Sequence, residues 1–251
     1  MKKINLLFSA LLCLFINVAI ADSRITVSYP GKASFTLENV PTLEDLVVNN
    51  PALPGDIWWQ GAAIAERGAT QIQQQKKQQL LARLAQLSSL LRSEDDASLA
   101  STVDTVRSQI AELNVVGRQF VQLDPDFLQL RPDQNHRLVG EYQLFLAPAP
   151  HSVKVLGALA PNGKRDYLPG KDVSDYLDGL KTLKGSENSN AWIITAQGKA
   201  QPVPIAYWNR QHNELTPGDV LFLGFAVSAL PKDYKDINEQ IISLLTHRIP
   251  D

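Results

Sequence analysis

Sulfur chemistry is nearly missing from this chain of 251 residues, which holds one cysteine, Cys13, and one methionine, Met1. Both fall within the N-terminal leader, so the remaining chain offers neither a disulfide framework nor a thiolate metal site. Histidine is scarce as well. His136, His151, His212 and His247 show no H-x-x-x-H or similar ligand spacing, and each reads as a surface or turn residue rather than a metal ligand. No charge of one sign dominates: 24 Lys+Arg face 26 Asp+Glu, a formal net charge of -2, and no basic tract interrupts that balance. Nucleic acid is therefore not an expected partner. Neither a G-x-S-x-G elbow nor a phosphate-cradling loop occurs, and Gly31-Lys32 in "YPGKAS" lacks the upstream glycine a P-loop needs. No metal and no cofactor are expected.

The leader is the one long apolar run. Lys2 and Lys3 precede the apolar residues 4–16, and Ala19-Ile20-Ala21 supplies the small residues a signal peptidase reads. The pattern is that of a secretory signal peptide over 1–21, cleaved after Ala21. Its apolar run is short of the roughly 20 residues a membrane span requires. Leu12 is too large to precede a lipidated cysteine, so Cys13 leaves with the signal. Beyond it, residues 221–230 are the longest apolar stretch and read as a buried strand entering a linker, so no transmembrane span is expected in the mature chain. Export without an anchor places the protein, in a bacterium with two membranes, in the periplasm.

The rest divides by pattern. Residues 24–29 and 33–37 read as two strands joined at Pro30-Gly31-Lys32, and Thr42 caps a helix carrying Leu43, Leu46 and Val47. A strand is expected at 57–60. At Thr70 the composition changes: "TQIQQQKKQQLLARLAQLSSLL" contains no Gly or Pro, and Leu80, Leu84, Leu87 and Leu91 recur in a 4-3-4 spacing. After a polar turn, Leu99, Val103, Val106, Ile110 and Leu113 repeat it. The pattern predicts an αα-hairpin. A fully buried Leu contributes ~1.5–3 kcal/mol, whereas ordering each residue's backbone costs ~1–2 kcal/mol. Two helices facing only each other cannot close that gap, so the hairpin is expected to dock on a sheet or a partner. The Gln-rich stretch 71–79 is either part of that interface or a solvated face.

Strand-like material resumes at Val115 and runs, past Asp124-Pro125, to "NHRLVGEYQLFLA"; Pro148-Ala149-Pro150 reads as a linker. Asp124 and Asp126 straddle a proline, which marks a turn rather than a paired carboxylate site. Two strands, a helix at 173–180 and three further strands ending at 220–225 then form a β-grasp order. "SYPGKASFTLENVPTLEDLV" and "APNGKRDYLPGKDVSDYL" look like two versions of one unit. A short amphipathic helix with Tyr234, Ile237, Ile241 and Leu244 or Leu245 on one face closes the chain. The fold class is α+β, with two β-grasp domains. The first spans 22–69 and 114–149, interrupted by the helical hairpin at 70–113. The second spans 150–226, and the C-terminal amphipathic helix lies within 227–251.

"VKVLGALAPNGKRDYLPGKDVSDYL" and "IAYWNRQHNELTPGDVLFLG", with the inserted hairpin and terminal helix, give the chain a resemblance to the GfcC-type capsule biosynthesis proteins. That family is periplasmic, encoded with polysaccharide export machinery, and built from two β-grasp domains. The second domain also resembles the soluble-ligand-binding β-grasp units of Wza-type exporters. In those exporters a terminal amphipathic helix builds an outer-membrane pore. Here Lys232, Asp233, Lys235 and Asp236 crowd the helix start, and the helix is expected to pack on its own protein. The resemblance implies a role in assembling or exporting an extracellular polysaccharide, with the polysaccharide or export proteins as partners.

It also draws attention to Arg118, since members carry a Gly-Arg pair at this junction. A guanidinium in a cleft would suit a carboxylate or phosphate on an acidic sugar or lipid carrier; the competing role is a salt bridge to an acid such as Asp124. Trp58-Trp59 and Tyr207-Trp208 are the other ligand-binding candidates, since flat rings pack against the apolar faces of sugars. In a strand only one of two neighbours faces the core, so at least one ring of each pair should face outward or lie capped by another segment. The competing role for Trp58 or Trp59 is packing beneath the hairpin. Two readings result: a binding accessory protein, or a glycan-modifying or ligase-like enzyme with its cleft at Arg118. An enzyme needs convergent titratable groups; no base or nucleophile stands out, which favours the binder.

Overall fold

The structure, a computed structural model, describes residues 22–250; the signal peptide expected over 1–21 lies outside them. The chain begins with an antiparallel pair, β1 (Ser23–Ser28) and β2 (Phe35–Glu38), followed by helix α1 (Leu43–Val47). The Thr42 hydroxyl accepts the Asp45 amide and so caps α1. Strand β3 (Ala63–Glu66) leads into the long helix α2 (Arg67–Ser93), and α3 (Ala97–Ala111) returns antiparallel to it. Asp96 caps α3 by accepting the Leu99 amide at 3.0 Å. Strand β4 (Arg118–Gln119), helix α4 (Pro125–Leu130) and strand β5 (Gly140–Phe145) complete the first sheet, in the order β2-β1-β5-β3-β4.

The second sheet repeats that plan. Its elements are β6 (Ser152–Gly157), β8 (Gly163–Asp166), α5 (Val173–Leu177), β10 (Asn190–Ile194), β11 (Ala200–Pro204) and β12 (Val220–Leu223). A small side pair, β7 (Leu159–Ala160) with β9 (Lys181–Thr182), lies apart from it. The order β11-β10-β12-β6-β8 matches the first sheet strand for strand. In both, the first strand runs parallel to the last: β1 with β5 and β6 with β12. The architecture is therefore α+β, with two five-stranded mixed sheets of β-grasp order. The hairpin α2–α3 sits between β3 and β4, where the second sheet has only the short turn at 195–199 joining β10 to β11.

Two features differ from the sequence reading. The strand expected at 57–60 is not formed: Trp59–Gly61 make a 3₁₀ turn, and the inner strand is β3 with its sequence AIAE. Alanine has little strand preference, but a position between two partner strands supplies the pairing that propensity does not. Pairing around Arg118 likewise covers only two residues, Arg118 and Gln119 against Ala65 and Ile64, and α4 follows with Pro125 in its first turn and Asp124 as cap.

The hairpin arises from the first sheet but packs on the second. Leu84, Leu87, Val103, Val106 and Ile110 share one core with Leu156, Ile194, Val220, Phe222 and Phe225. The opposite face of the same sheet packs Val153, Val155, Ile193, Leu221 and Leu223 against α5. Covered on both sides, β12 is buried at all four residues, Val-Leu-Phe-Leu. The first sheet has a separate core around Ile25, Leu46, Ile64 and Leu144.

Helix α6 (Ile237–Thr246) closes the hairpin core with Ile237, Ile241, Leu244 and Leu245. Its docking is specific. Arg83 of α2 grips Asp236 through two bonds of 2.9 and 3.0 Å, and the Asn238 amide pairs with both the N–H and the carbonyl of Phe225. Among the described residues no helix is long and apolar enough to cross a membrane.

Candidate functional site

Arg118 sits at the junction of all three parts. Beside it, Gly117 lies so close to α2 that a Cβ there would fall 2.3 Å from the Ala69 carbonyl carbon. The hairpin's return leg then meets the chain's end: Val116 N–H donates to the His247 carbonyl, and Ile249 N–H donates to that of Asn114, both at 3.0 Å. The Arg118 side chain is only 6% exposed. Its Nη2 donates to the Ala62 carbonyl at 3.2 Å, and Nη1 reaches the Arg248 carbonyl at 3.5 Å. Burial, and then the nearby Arg248 charge, pull its pKa down to about 10. Asp124 is not its partner, because that carboxylate caps α4.

Arg248, just beyond the last helix, is a buried counterpart that the sequence pattern does not single out. Its Nη2 donates to the Gly218 carbonyl at 2.6 Å and to the Ile194 carbonyl at 3.3 Å, both in the second domain. The two arginines thus tie backbone of the first sheet, the chain terminus and the second sheet into one junction. His247, half-buried, is their neighbour. Its ring stands edge-on to Phe120 with centroids 5.1 Å apart, and burial, with Lys76 and Arg118 nearby, holds its pKa down. Among the described residues Lys76 and Arg248 are the cations near this junction, and beside Arg248 the Asp219 carboxyl, which accepts the Ala196 and Thr216 amides, is held above its ordinary range by burial.

The aromatic pairs part company. Trp59 joins the core of the first domain, not the hairpin. The Trp58 ring wedges between the domains: a Cβ on Gly61 would lie 2.0 Å from it, and one on Gly218 2.3 Å from it. Gly218 also holds φ at +83°, so this position favours glycine twice over. Tyr207 and Trp208 take the opposite role. Strand β11 ends at Pro204, and the pair sits in the turn beyond it, 98% and 75% exposed.

That turn is held from beneath. The Asn209 side chain accepts the Ala206 amide at 3.0 Å and donates to the Ser189 carbonyl at 3.1 Å. Arg210 pairs with Asp172 at 3.1 Å, and Asp172 also accepts the amides of Ser174 and Asn213. Burial alone would raise the Asp172 carboxyl, but these amide bonds and Arg210 hold it below its ordinary range. The exposed rings therefore stand on an anchored base, with their flat faces left in water.

Among the described residues no group of His, Cys, Asp or Glu is placed to hold a metal ion. A groove of about 730 Å³ runs along the start of α2, lined by its glutamines and by residues 113–115. Sequence reading missed it as a site because its other wall comes from the far end of the hairpin. It also missed Gln109, whose amide bonds both the N–H and the carbonyl of Gly157 at 2.7 and 3.0 Å. That latch from α3 serves a strand residue at φ +114°, where a Cβ would meet the Leu223 carbonyl oxygen at 2.0 Å.

Residues 21–149 match the family described as capsule biosynthesis GfcC, N-terminal, and residues 161–250 match capsule biosynthesis GfcC C-terminal. An uncharacterized protein of Escherichia coli strain K12, YjbG, is 37% identical over 215 residues, which span 86% of this chain and 85% of that protein. The chain belongs to the GfcC capsule biosynthesis family.

Proposed function

We propose that this member of the GfcC family is a periplasmic accessory protein for assembly or export of a capsular or extracellular polysaccharide, and that it works by binding the glycan or the export machinery. The observation that carries the binding role is the anchored, outward Tyr207-Trp208 pair. Such rings offer flat apolar area at little entropic cost, which suits sugar faces and protein partners alike. Arg118 is spent on structure: its guanidinium is buried and donates to the Ala62 carbonyl, which supports a positioning part for it over a catalytic one. On this reading Arg118 and Trp58 hold the domains together.

The test is a strain lacking the chain, complemented with wild type or with Tyr207→Ala/Trp208→Ala. Both rings are outside every core, so the variant should melt with the wild type and reach the same abundance. Loss of an aromatic anchor commonly costs ~2 kcal/mol or more of binding, so surface polysaccharide should fall severalfold. Full restoration by the variant would remove the aromatic tip from the working surface.

A further inference from the structure

We propose that the groove between the first turns of α2 and residues 113–115 binds a hydroxyl-rich, uncharged stretch of polysaccharide chain. The inference rests on the polysaccharide reading above and gives it a second contact, distinct from the aromatic tip. Its volume of about 730 Å³ falls within the ~300–1,000 Å³ of small-ligand sites.

The lining is dominated by one functional group. Gln71, Gln74, Gln75 and Gln78 follow the i, i+3, i+4, i+7 spacing and share one face of α2, with Asn114 on the opposite wall. Gln71, Gln74, Gln75, Gln78 and Asn114 are all exposed. A primary amide offers two N–H donors and a carbonyl acceptor, the pattern that neighbouring sugar hydroxyls complement. The one cation among the described lining residues, Lys77, is committed elsewhere: its Nζ donates to the Ala111 and Leu113 carbonyls at 2.7 and 2.6 Å. That pair of bonds fixes the wall carrying Asn114 to α2, so the amides face each other across a set gap. Two of the three donors of the Lys77 ammonium are thus spent on the groove's own wall, and amides make up the rest of the polar side chains in the described lining. Buried Leu113 and Val115 give its wall an apolar backing against which a sugar face can rest.

The groove is also open-ended. Asn114 lines two further depressions, one toward Lys164 in the second domain and one toward Tyr29 in the first. The groove itself lies open to solvent along its length, which fits a stretch of linear polymer better than a compact metabolite.

The experiment is a titration of the isotope-labelled mature protein with short oligosaccharides released by partial hydrolysis of the surface polysaccharide of the same cells. Side-chain amide signals of Gln71, Gln74, Gln75, Gln78 and Asn114 should shift. Gln71→Ala/Gln75→Ala/Gln78→Ala, which removes only exposed amides from a helix, should melt with the wild type and bind at least roughly tenfold more weakly. Unchanged affinity of this variant, or shifts confined to the Tyr207-Trp208 turn, would overturn the inference. The two readings fail separately. If cells lacking the protein lose surface polysaccharide but its fragments leave the groove signals unmoved, the groove falls and the family role stands. If the fragments fill the groove but those cells keep normal surface polysaccharide, the groove stands and the export role falls.

Discussion

Replacing the hairpin, residues 68–116, with a short glycine-serine turn should unfold the second sheet and leave the first largely intact. The first sheet has a precedent for the shorter connection, since β10 and β11 of the second are joined by the turn at 195–199. The second sheet has no such reserve. Leu156, Ile194, Val220, Phe222 and Phe225 would lose the partner that buries them. At ~1.5–3 kcal/mol for each side chain of this size, the loss is on the order of 10 kcal/mol. Helix α6 recovers only part of it, and the whole stability of a domain is ~5–15 kcal/mol. The Gly157 peptide would also lose the Gln109 amide, and an unsatisfied buried group costs ~1–3 kcal/mol. Hydrogen exchange gives the answer by segment. Protection should vanish across 152–223 and persist across 23–66. Protection retained in the second sheet would mean that the hairpin belongs energetically to the domain whose sequence it interrupts.

Arg118→Ala should lower the melting temperature by about 4–8 °C, an effect of ~2 kcal/mol in a chain of this size. Three contributions decide the sign. The buried stem loses two methylenes, Cγ and Cδ, at ~0.8 kcal/mol each. The Ala62 carbonyl loses its donor, whereas the bond to Arg248 is long and contributes little. Against these, the cost of burying the charge, visible in the pKa pulled to about 10, is relieved. Arg118→Met keeps the stem volume and removes the charge, so it should stay within ~1 kcal/mol of wild type and sustain normal surface polysaccharide. A ligand-binding guanidinium would show the reverse, with both variants stable and both inactive.

What the sequence disclosed is what local pattern encodes. The hairpin was legible because leucines at 4-3-4 spacing in a stretch without Gly or Pro admit only a helix. The Thr42 cap was legible because a hydroxyl three residues ahead of Asp45 has one favourable geometry. The direction of docking was not. Nothing within 70–113 says that its leucines meet Phe222 of the second sheet rather than Ile64 of the first, because that choice is made by the return leg pairing with residues 247–249. The same holds for the site residues. That Tyr207 and Trp208 stand beyond the strand is hinted only by Pro202 and Pro204, which confine β11 to a sheet edge. Trp58 and Trp59 were legible as a pair, but a 3₁₀ turn separated their fates. Arg248 carried no signal, since its partners are carbonyls on two distant strands.

The most direct test of the account is the amount and the chemical composition of surface polysaccharide on cells lacking this protein, measured beside cells in which it is restored. A binding accessory protein predicts that the amount falls while sugar composition and linkages stay the same. A normal amount of polysaccharide with altered composition or linkages would contradict that account and assign the protein a glycan-modifying activity.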